Sequence, residues 1–219
     1  MSQLFISKVL RQLRRPLPDL CGYLHGKLLS AIWRPYLAAV GPRFHISRGA
    51  RLQGGSCIRI GARFFAGPGL WIEAVRRYES HAYSPRISIG DGVTCSDFVH
   101  LTATCELVVG NGVLFGSRVH VTDHAHGRYV GDIQDSPDIP PVHRTLSSSR
   151  PVHIGDNVWL GDGVVVLPGV RVGAGTVVGA NSVVSRDLPP NVIAIGAPAR
   201  PIKRWDAGRA AWVRIENPA

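Results

Sequence analysis

The sequence lacks several features that would each open a functional class. Its four cysteines, Cys21, Cys57, Cys95 and Cys105, include no CxxC pair. That excludes a zinc ribbon or a thioredoxin-type redox pair and leaves them to be read as reduced core thiols. No run of about 18 consecutive apolar residues occurs, so no membrane-spanning helix is expected. Met1–Leu20 is basic and partly apolar, but Arg11, Arg14 and Arg15 interrupt it and no small-residue cleavage site follows. Secretion is therefore not expected, and the expected location is the cytoplasm. Charged residues make up 18% and aromatics 7%, a profile that favours many turns over long solvated helices.

What is present fits that profile. There are 25 glycines and 16 prolines in 219 residues, and the 45% hydrophobic content suffices for the core of one domain. A formal net charge of +10 implies attraction to phosphate-bearing partners. No RNP, zinc or helix-turn-helix signature accompanies the charge, so no nucleic-acid partner is expected.

A fixed repeat decides the architecture. From Ile154 the aliphatic residues Ile154, Leu160, Val166, Val172, Val178 and Val184 recur every six positions, and glycine follows four of them, at Gly155, Gly161, Gly173 and Gly179. A second series, Val158, Val164, Val170, Thr176 and Ser182, precedes the next aliphatic by two positions. Two residues apart is one face of a strand, so each hexad offers a short strand with two inward side chains and then a turn. Glycine after the aliphatic suits a corner that needs positive φ or has no room for a Cβ. Stacking hexads as faces of a prism buries an aliphatic column that no single hexad can bury alone. The same pattern is ragged upstream, at Ile60-Gly61, Ile89-Gly90, Val109-Gly110 and Phe115-Gly116. Two polar stretches interrupt it, at 76–86 and 123–150, and read as loops thrown out from the stack.

Helical spacing precedes the repeats, in Leu4, Phe5, Val9, Leu13 and then Leu20, Leu24, Leu28 and Ile32. Two roles suit this segment: a cap packed on the end of the coil, or a peripheral contact with an anionic membrane surface that brings the enzyme to a lipid-linked substrate. The chain thus divides into an N-terminal helical, basic segment (1–43), a coil domain (44–203) with a loop at 123–150, and a C-terminal tail (204–219).

Several longer pieces carry a resemblance: Val121-Thr-Asp-His-Ala-His-Gly127, Arg150-Pro-Val-His-Ile-Gly-Asp-Asn-Val-Trp-Leu-Gly161, Leu167-Pro-Gly-Val170, and Val183-Val-Ser-Arg-Asp-Leu-Pro-Pro-Asn191 with Gly196-Ala-Pro198. Together with the weaker repeats, the chain resembles the hexapeptide-repeat acetyltransferases, particularly the maltose, galactoside and lipopolysaccharide O-acetyltransferase group, over about 44–203. The resemblance implies an all-β, left-handed parallel β-helix. It also implies a homotrimer with acetyl-CoA in the groove between neighbouring subunits, and no metal.

Moving an acetyl group from a thioester to an alcohol requires removal of the hydroxyl proton as the oxygen attacks, and histidine is suited to accept it near neutral pH. The resemblance makes His124 the catalytic histidine, in the Thr-x-His segment ahead of the loop. The same likeness places His100 at the border of the acceptor cleft; His126 is expected to orient His124 or touch the substrate, and Asp97, with Ser96, stands nearest to the family's sugar-contacting asparagine, which has no clear counterpart at this spacing. The family's donor positions fall on Gly161, Asp162, Gly179, Ala180, Ser185, Arg186 and Lys203, with Trp159 flanking the groove. Backbone amides beside the small residues reach the pantetheine arm, and Arg186 and Lys203 meet the nucleotide phosphates. The γ-type carbonic anhydrases use the same kind of coil with paired histidines five residues apart, a spacing absent here. A non-catalytic scaffold is the other alternative. The Asp-His-x-His-Gly loop is similar to that of enzymes acting on surface polysaccharide intermediates, with a free small sugar as the competing acceptor.

Overall fold

The computed structural model describes residues 16–147 and 150–216. Leu4, Phe5, Val9 and Leu13 lie outside the described residues. From Ala39 the chain winds through three parallel sheets in rotation, six times over: strands Ala39–Val40, His45–Ile46 and Arg51–Gln53 make the first coil, and Arg171–Val172, Val177–Val178 and Val183–Val184 the last. This is the left-handed parallel β-helix. Three strands of the third sheet concern the site: β1 (Trp71–Ala74), β2 (His100–Ala103) and β3 (His120–Thr122), paired in parallel.

The hexad aliphatics fall on the three faces in turn and stack in register. Ile60, Ile89, Val109, Ile154 and Val172 form one column, and Ile72, Leu101, Val121, Val166 and Val184 another, all buried. Each such side chain removed from water stabilises by roughly 1.5–3 kcal/mol before entropy is counted. Thr176 and Ser182 occupy core positions of the second series and are satisfied, Thr176 Oγ1 donating to the Pro189 carbonyl and Ser182 Oγ accepting from Gly196 N–H.

The glycines after the aliphatics answer the question of room rather than of φ. A Cβ on Gly161 would stand 2.7 Å from the Ala180 nitrogen of the next coil, and one on Gly155 would stand 2.6 Å from that of Ala174. Positive φ occurs two positions later in the hexad, at Asn157, Gly163, Gly175 and Asn181. Side chains at these corners also tie coils together. Asp91, Asn111, Asp156 and Asp162 each accept a hydrogen bond from a backbone N–H of the preceding coil.

The N-terminal helix, α1 (Leu17–Trp33), caps the coil, but with a face the sequence pattern did not suggest. Leu24, Leu28 and Ile32 point to solvent, and contact is made by the opposite side, where Gly26 and Ser30 are buried. Small residues let the helix approach closely, since a Cβ on Gly26 would collide with the His45 ring. Ser30 Oγ then accepts the Ile46 N–H at 3.0 Å, closing the open edge of the first coil. Cys21, on the same helix, is exposed, so the reading of all four cysteines as core thiols fails there; Cys95 is fully buried, and burial pushes its thiol well above the usual range. At the far end, strands Val192–Gly196, Ala199–Asp206 and Ala211–Arg214 extend the second sheet antiparallel. The divisions at 43/44 and 203/204 therefore do not coincide with breaks in the sheets. No described helix is long and apolar enough to cross a membrane.

Candidate active site

Both interruptions leave the coil at the same corner, the one that follows the third sheet. After β1 the chain makes a small hairpin, Arg77–Tyr78 with His81–Ala82, and after β3 it makes the longer excursion that returns at Val152. Between them in the stack, Thr104 and Cys105 turn the corner tightly. The two loops brace one another. Tyr78 Oη donates to the Val142 carbonyl at 2.7 Å, Leu146 N–H donates to Tyr83 Oη at 3.2 Å, and the Tyr78 ring lies edge-on to His126 at 5.3 Å.

His124 stands where the longer loop departs, and Asp123 holds it. The Asp123 side chain is fully buried. Oδ1 accepts from the Thr104 N–H (2.8 Å) and hydroxyl (3.2 Å), and Oδ2 accepts from the N–H groups of Cys105 (2.7 Å) and Glu106 (2.8 Å). It thus does for this corner what the Asp and Asn side chains do for the regular ones. The same Oδ1 lies 2.9 Å from His124 Nδ1. Burial works to raise the Asp123 pKa, but the hydrogen bonds from His124, Thr104 and Cys105 outweigh it and hold the carboxyl below its ordinary value. An ionised carboxylate only accepts, so Nδ1 carries the hydrogen and Nε2 of the neutral ring is left as the acceptor. Thr122 Oγ1 donates to the His124 carbonyl at 3.0 Å and accepts its N–H at 3.2 Å, fixing the backbone under the ring. Asp123 adjoins His124 in sequence, and that adjacency was the available signal for it.

Further side chains reach this site through strand register. His100 on β2 stacks on Trp71 of β1, ring centroids 4.0 Å apart, and lies 4.7 Å from the ring of His120 on β3. Burial, and then the neighbouring His120 and His124, push the His100 pKa down to about 4, so the ring is neutral at pH 7. Glu73 lies 4.0 Å from His100 Nε2; burial raises its carboxyl against the lowering effect of His124. None of Glu73, Trp71, Thr102 or His120 stood out in the sequence; for Glu73 and Trp71 the insertion at 76–86 hides the register between β1 and β2. Of the other acceptor-side candidates, His126 is exposed and packs on Tyr78, while Asp97 is exposed at the corner that enters β2, the opposite end of the strand from the one His124 faces.

The donor-side candidates fall into two groups. Gly161-Asp162 and Gly179-Ala180 stack directly on one another at the corner after the second sheet, beside the half-exposed Trp159. The N–H groups of Gly161 and Gly179 are engaged with the Val178 and Ala194 carbonyls, and the Asp162 carboxylate accepts from Ser117 N–H. Ser185 and Arg186 lie at the other corner, after the last strand of the third sheet, and Lys203 lies on the terminal hairpin opposite Arg214. Arg186, Lys203 and Arg214 supply positive charge suited to phosphates. The two groups thus stand at different corners of the coil.

A family model described as bacterial transferase hexapeptide (six repeats) matches residues 151–186. The Escherichia coli K12 protein WbbJ, whose name provisionally marks it as a lipopolysaccharide biosynthesis O-acetyl transferase, is 40% identical over 156 residues, 71% of this chain and 76% of that protein. A Schizosaccharomyces pombe protein provisionally named an acetyltransferase is 39% identical over 98 residues, 45% of this chain and 43% of its own. Among solved structures, the N-acyltransferase AntD from Bacillus cereus, in complex with dTDP and 3-hydroxybutyryl-CoA, superposes with a TM-score of 0.64 at 21% identity, covering 83% of this chain and 90% of that one. That last likeness is one of fold. With the six-coil column and the extent of the WbbJ match, the chain belongs to the hexapeptide-repeat acetyltransferase family.

Proposed function

We propose that the protein transfers an acetyl group from acetyl-CoA to a hydroxyl of a saccharide, in the biosynthesis of a surface polysaccharide, with His124 as general base. The observation that carries this is the buried Asp123 carboxylate 2.9 Å from His124 Nδ1. That contact fixes the tautomer in which Nε2 can accept the proton of an attacking hydroxyl. It also stabilises the imidazolium formed once the proton has moved. The relatives' names, WbbJ above all, support the acetyl group and the saccharide acceptor.

Acetyl-CoA supplies an acyl group already activated as a thioester. The chain's residues bind and orient it. Backbone groups of Asp162 and Ala180, beside Gly161 and Gly179, meet the pantetheine arm, Trp159 flanks it, and Arg186 and Lys203 meet the phosphates. Because these fall at two corners of one coil, a groove that uses them all needs a neighbouring copy, and a homotrimer provides one. Transfer is direct. His124 takes the hydroxyl proton as the oxygen attacks the thioester carbon, and returns it to the thiolate that leaves.

Incubation of the purified chain with acetyl-CoA and a panel of nucleotide sugars, lipid-linked glycans and free sugars, with thiol release as the readout, tests the reading. Release that depends on a glycan and disappears in His124→Ala is the expected result. Release that survives that substitution removes His124 from its role, and release indifferent to any glycan removes the saccharide.

A further inference from the structure

The outer face of the third sheet carries two parallel rows of side chains, because alternate residues of a strand share a face. One row runs Arg51, Trp71, His100, His120 in register across four coils; the other runs Gln53, Glu73, Thr102, Thr122 and ends beside His124. Among the described residues, two buried side-chain polar atoms have no hydrogen-bond partner, and both lie in these rows: His100 Nε2 and Thr102 Oγ1. Thr102 is only 4% exposed. Buried polar groups without partners are rare and costly, so two neighbouring ones beside a general base mark where a polar ligand supplies the missing contacts. Sugar hydroxyls, which both donate and accept, suit a neutral imidazole and a threonine. The 4.0 Å between His100 Nε2 and Glu73 Oε2 is too long for a direct hydrogen bond, so a hydroxyl can join them.

The far end of the trench has different chemistry. Arg51 lies over the Trp71 ring, 5.7 Å from its centroid. With Arg48, Pro68 and the exposed ring of Phe98 it encloses a cleft of about 510 Å³. Neither arginine takes part in an ion pair with a carboxylate among the described residues. From His120 to Arg51 is three strand spacings of about 4.8 Å, roughly 14 Å, close to the length of a sugar ring bearing a pyrophosphate. Beyond Arg48 a second cleft of about 870 Å³ opens between α1 and the first coil, walled by Tyr23, His45 and Phe65, with room for the group on the far side of the phosphate.

We infer that the acceptor is a saccharide carried on a phosphate or pyrophosphate, which Arg48 and Arg51 hold while the sugar lies along β1 to β3 with one hydroxyl at His124 and others on Glu73, His100 and Thr102. The inference rests on the acetyl-transfer reading and narrows its acceptor. Two carriers share this chemistry, a nucleotide and an isoprenoid lipid, and aromatic walls beyond Arg48 suit either.

Calorimetric titration of the full chain with uridine 5′-diphosphate and with geranyl diphosphate, each at saturating CoA so that the donor's own phosphate site is filled, tests it. At least one probe binds the wild type, and Arg48→Ala/Arg51→Ala weakens it at least tenfold with CoA affinity and melting temperature unchanged; both arginines are exposed, so the variant folds. Tighter binding of the first probe assigns a nucleotide carrier, and of the second a lipid carrier. No binding of either probe to CoA-loaded protein, or equal binding by the double variant, overturns the phosphate anchor alone. Failure of CoA itself to bind overturns the acetyl-transfer reading and this one with it.

Discussion

The corner after the second sheet and the corner after the third sheet start from the same hexad, yet the first turns tightly in every coil while the second twice lets the chain escape. At the first, glycines such as Gly116 and Gly161 have the next coil's backbone against them, Gly161 and Asp162 in the one case and Ala180 in the other. A polar side chain there, such as that of Asp162, serves the coil itself by accepting an N–H of the coil beneath. At the second, the excursion after β3 leaves three N–H groups of the coil beneath without the usual partners, and Asp123 satisfies them. The residue that repairs the column is therefore the one that orients the imidazole. In this fold the repeat makes the frame, and the chemistry sits where the repeat is broken and mended.

Breaking the irregular corner has the largest expected effect. His124→Ala is expected to lower kcat by roughly 10²–10⁴-fold, the usual contribution of a positioned base, while the melting temperature changes little because the ring lies outside the aliphatic column. Asp123→Asn is the sharper form, since Asp123 acts through His124. Loss of the anion is expected to cost about tenfold or more in kcat/KM with KM nearly unchanged, because the carboxylate that fixes the tautomer and stabilises the imidazolium formed on proton transfer is gone. A purely structural Asp123 would lower stability and leave kcat/KM per folded molecule in place.

Breaking the regular corner is expected to do the converse. A Cβ on Gly116 would stand 2.6 Å from the Asp162 nitrogen and 2.7 Å from the Gly161 carbonyl carbon, both backbone atoms that cannot swing aside. Gly116→Ala should destabilise by about 1–3 kcal/mol in chemical denaturation, with activity per folded molecule retained. If it proved neutral, the idea that close approach, rather than turn conformation, demands glycine here would fall.

These two corners were not equally legible in the sequence. The aliphatic period needs only counting, and it gives a stacked column, its inward positions and the glycine corners directly. His124 was reached through the motif around it. Asp123, Glu73 and Thr102 were not, for a physical reason: which residues lie side by side depends on coil length, and insertions change it from coil to coil. His100 and His120 are separated by one 20-residue coil and pair directly, whereas Trp71 lies 29 residues before its partner His100, with the hairpin intervening. The helix itself was legible. Leucine spacing marks an amphipathic face but not which face is buried, and here Gly26 and Ser30 pack closely while Leu24, Leu28 and Ile32 face out.

The buried imidazoles on the third sheet predict a milder, pH-dependent effect. Burial holds the pKa of His100 down to about 4 and lowers that of His120, against about 6.5 in the unfolded chain, with Glu73, Asp123 and His124 the charged or titratable groups facing them. Between pH 6.5 and 4 the unfolded state binds more protons than the folded one, so stability falls as the pH is lowered through that window and is constant above it as far as these groups decide. Thermal unfolding should show a decline between pH 7 and 5, shallower in His100→Gln. Equal slopes in the two proteins would mean that His100 is not the group resisting protonation.

The smallest expected effects concern the donor, and they test whether both corners serve one ligand. Arg186 and Lys203 are solvent-exposed, so each contact with a phosphate is partly screened and contributes on the order of 1 kcal/mol. Replacing either with alanine should raise the KM for acetyl-CoA by roughly 3–10-fold and leave kcat nearly unchanged, because binding of the phosphates is the same in ground and transition states. Their positions sharpen the expectation. Arg186 shares the irregular corner with His124, and Lys203 belongs to the hairpin on the second sheet. If the groove lies between two copies, the two residues acting on one acetyl-CoA come from different chains. Mixing Arg186→Ala with Lys203→Ala subunits should then restore part of the affinity, because some grooves in a mixed assembly escape both substitutions. No restoration, with mixed assemblies demonstrated, would assign both residues acting on one acetyl-CoA to the same chain.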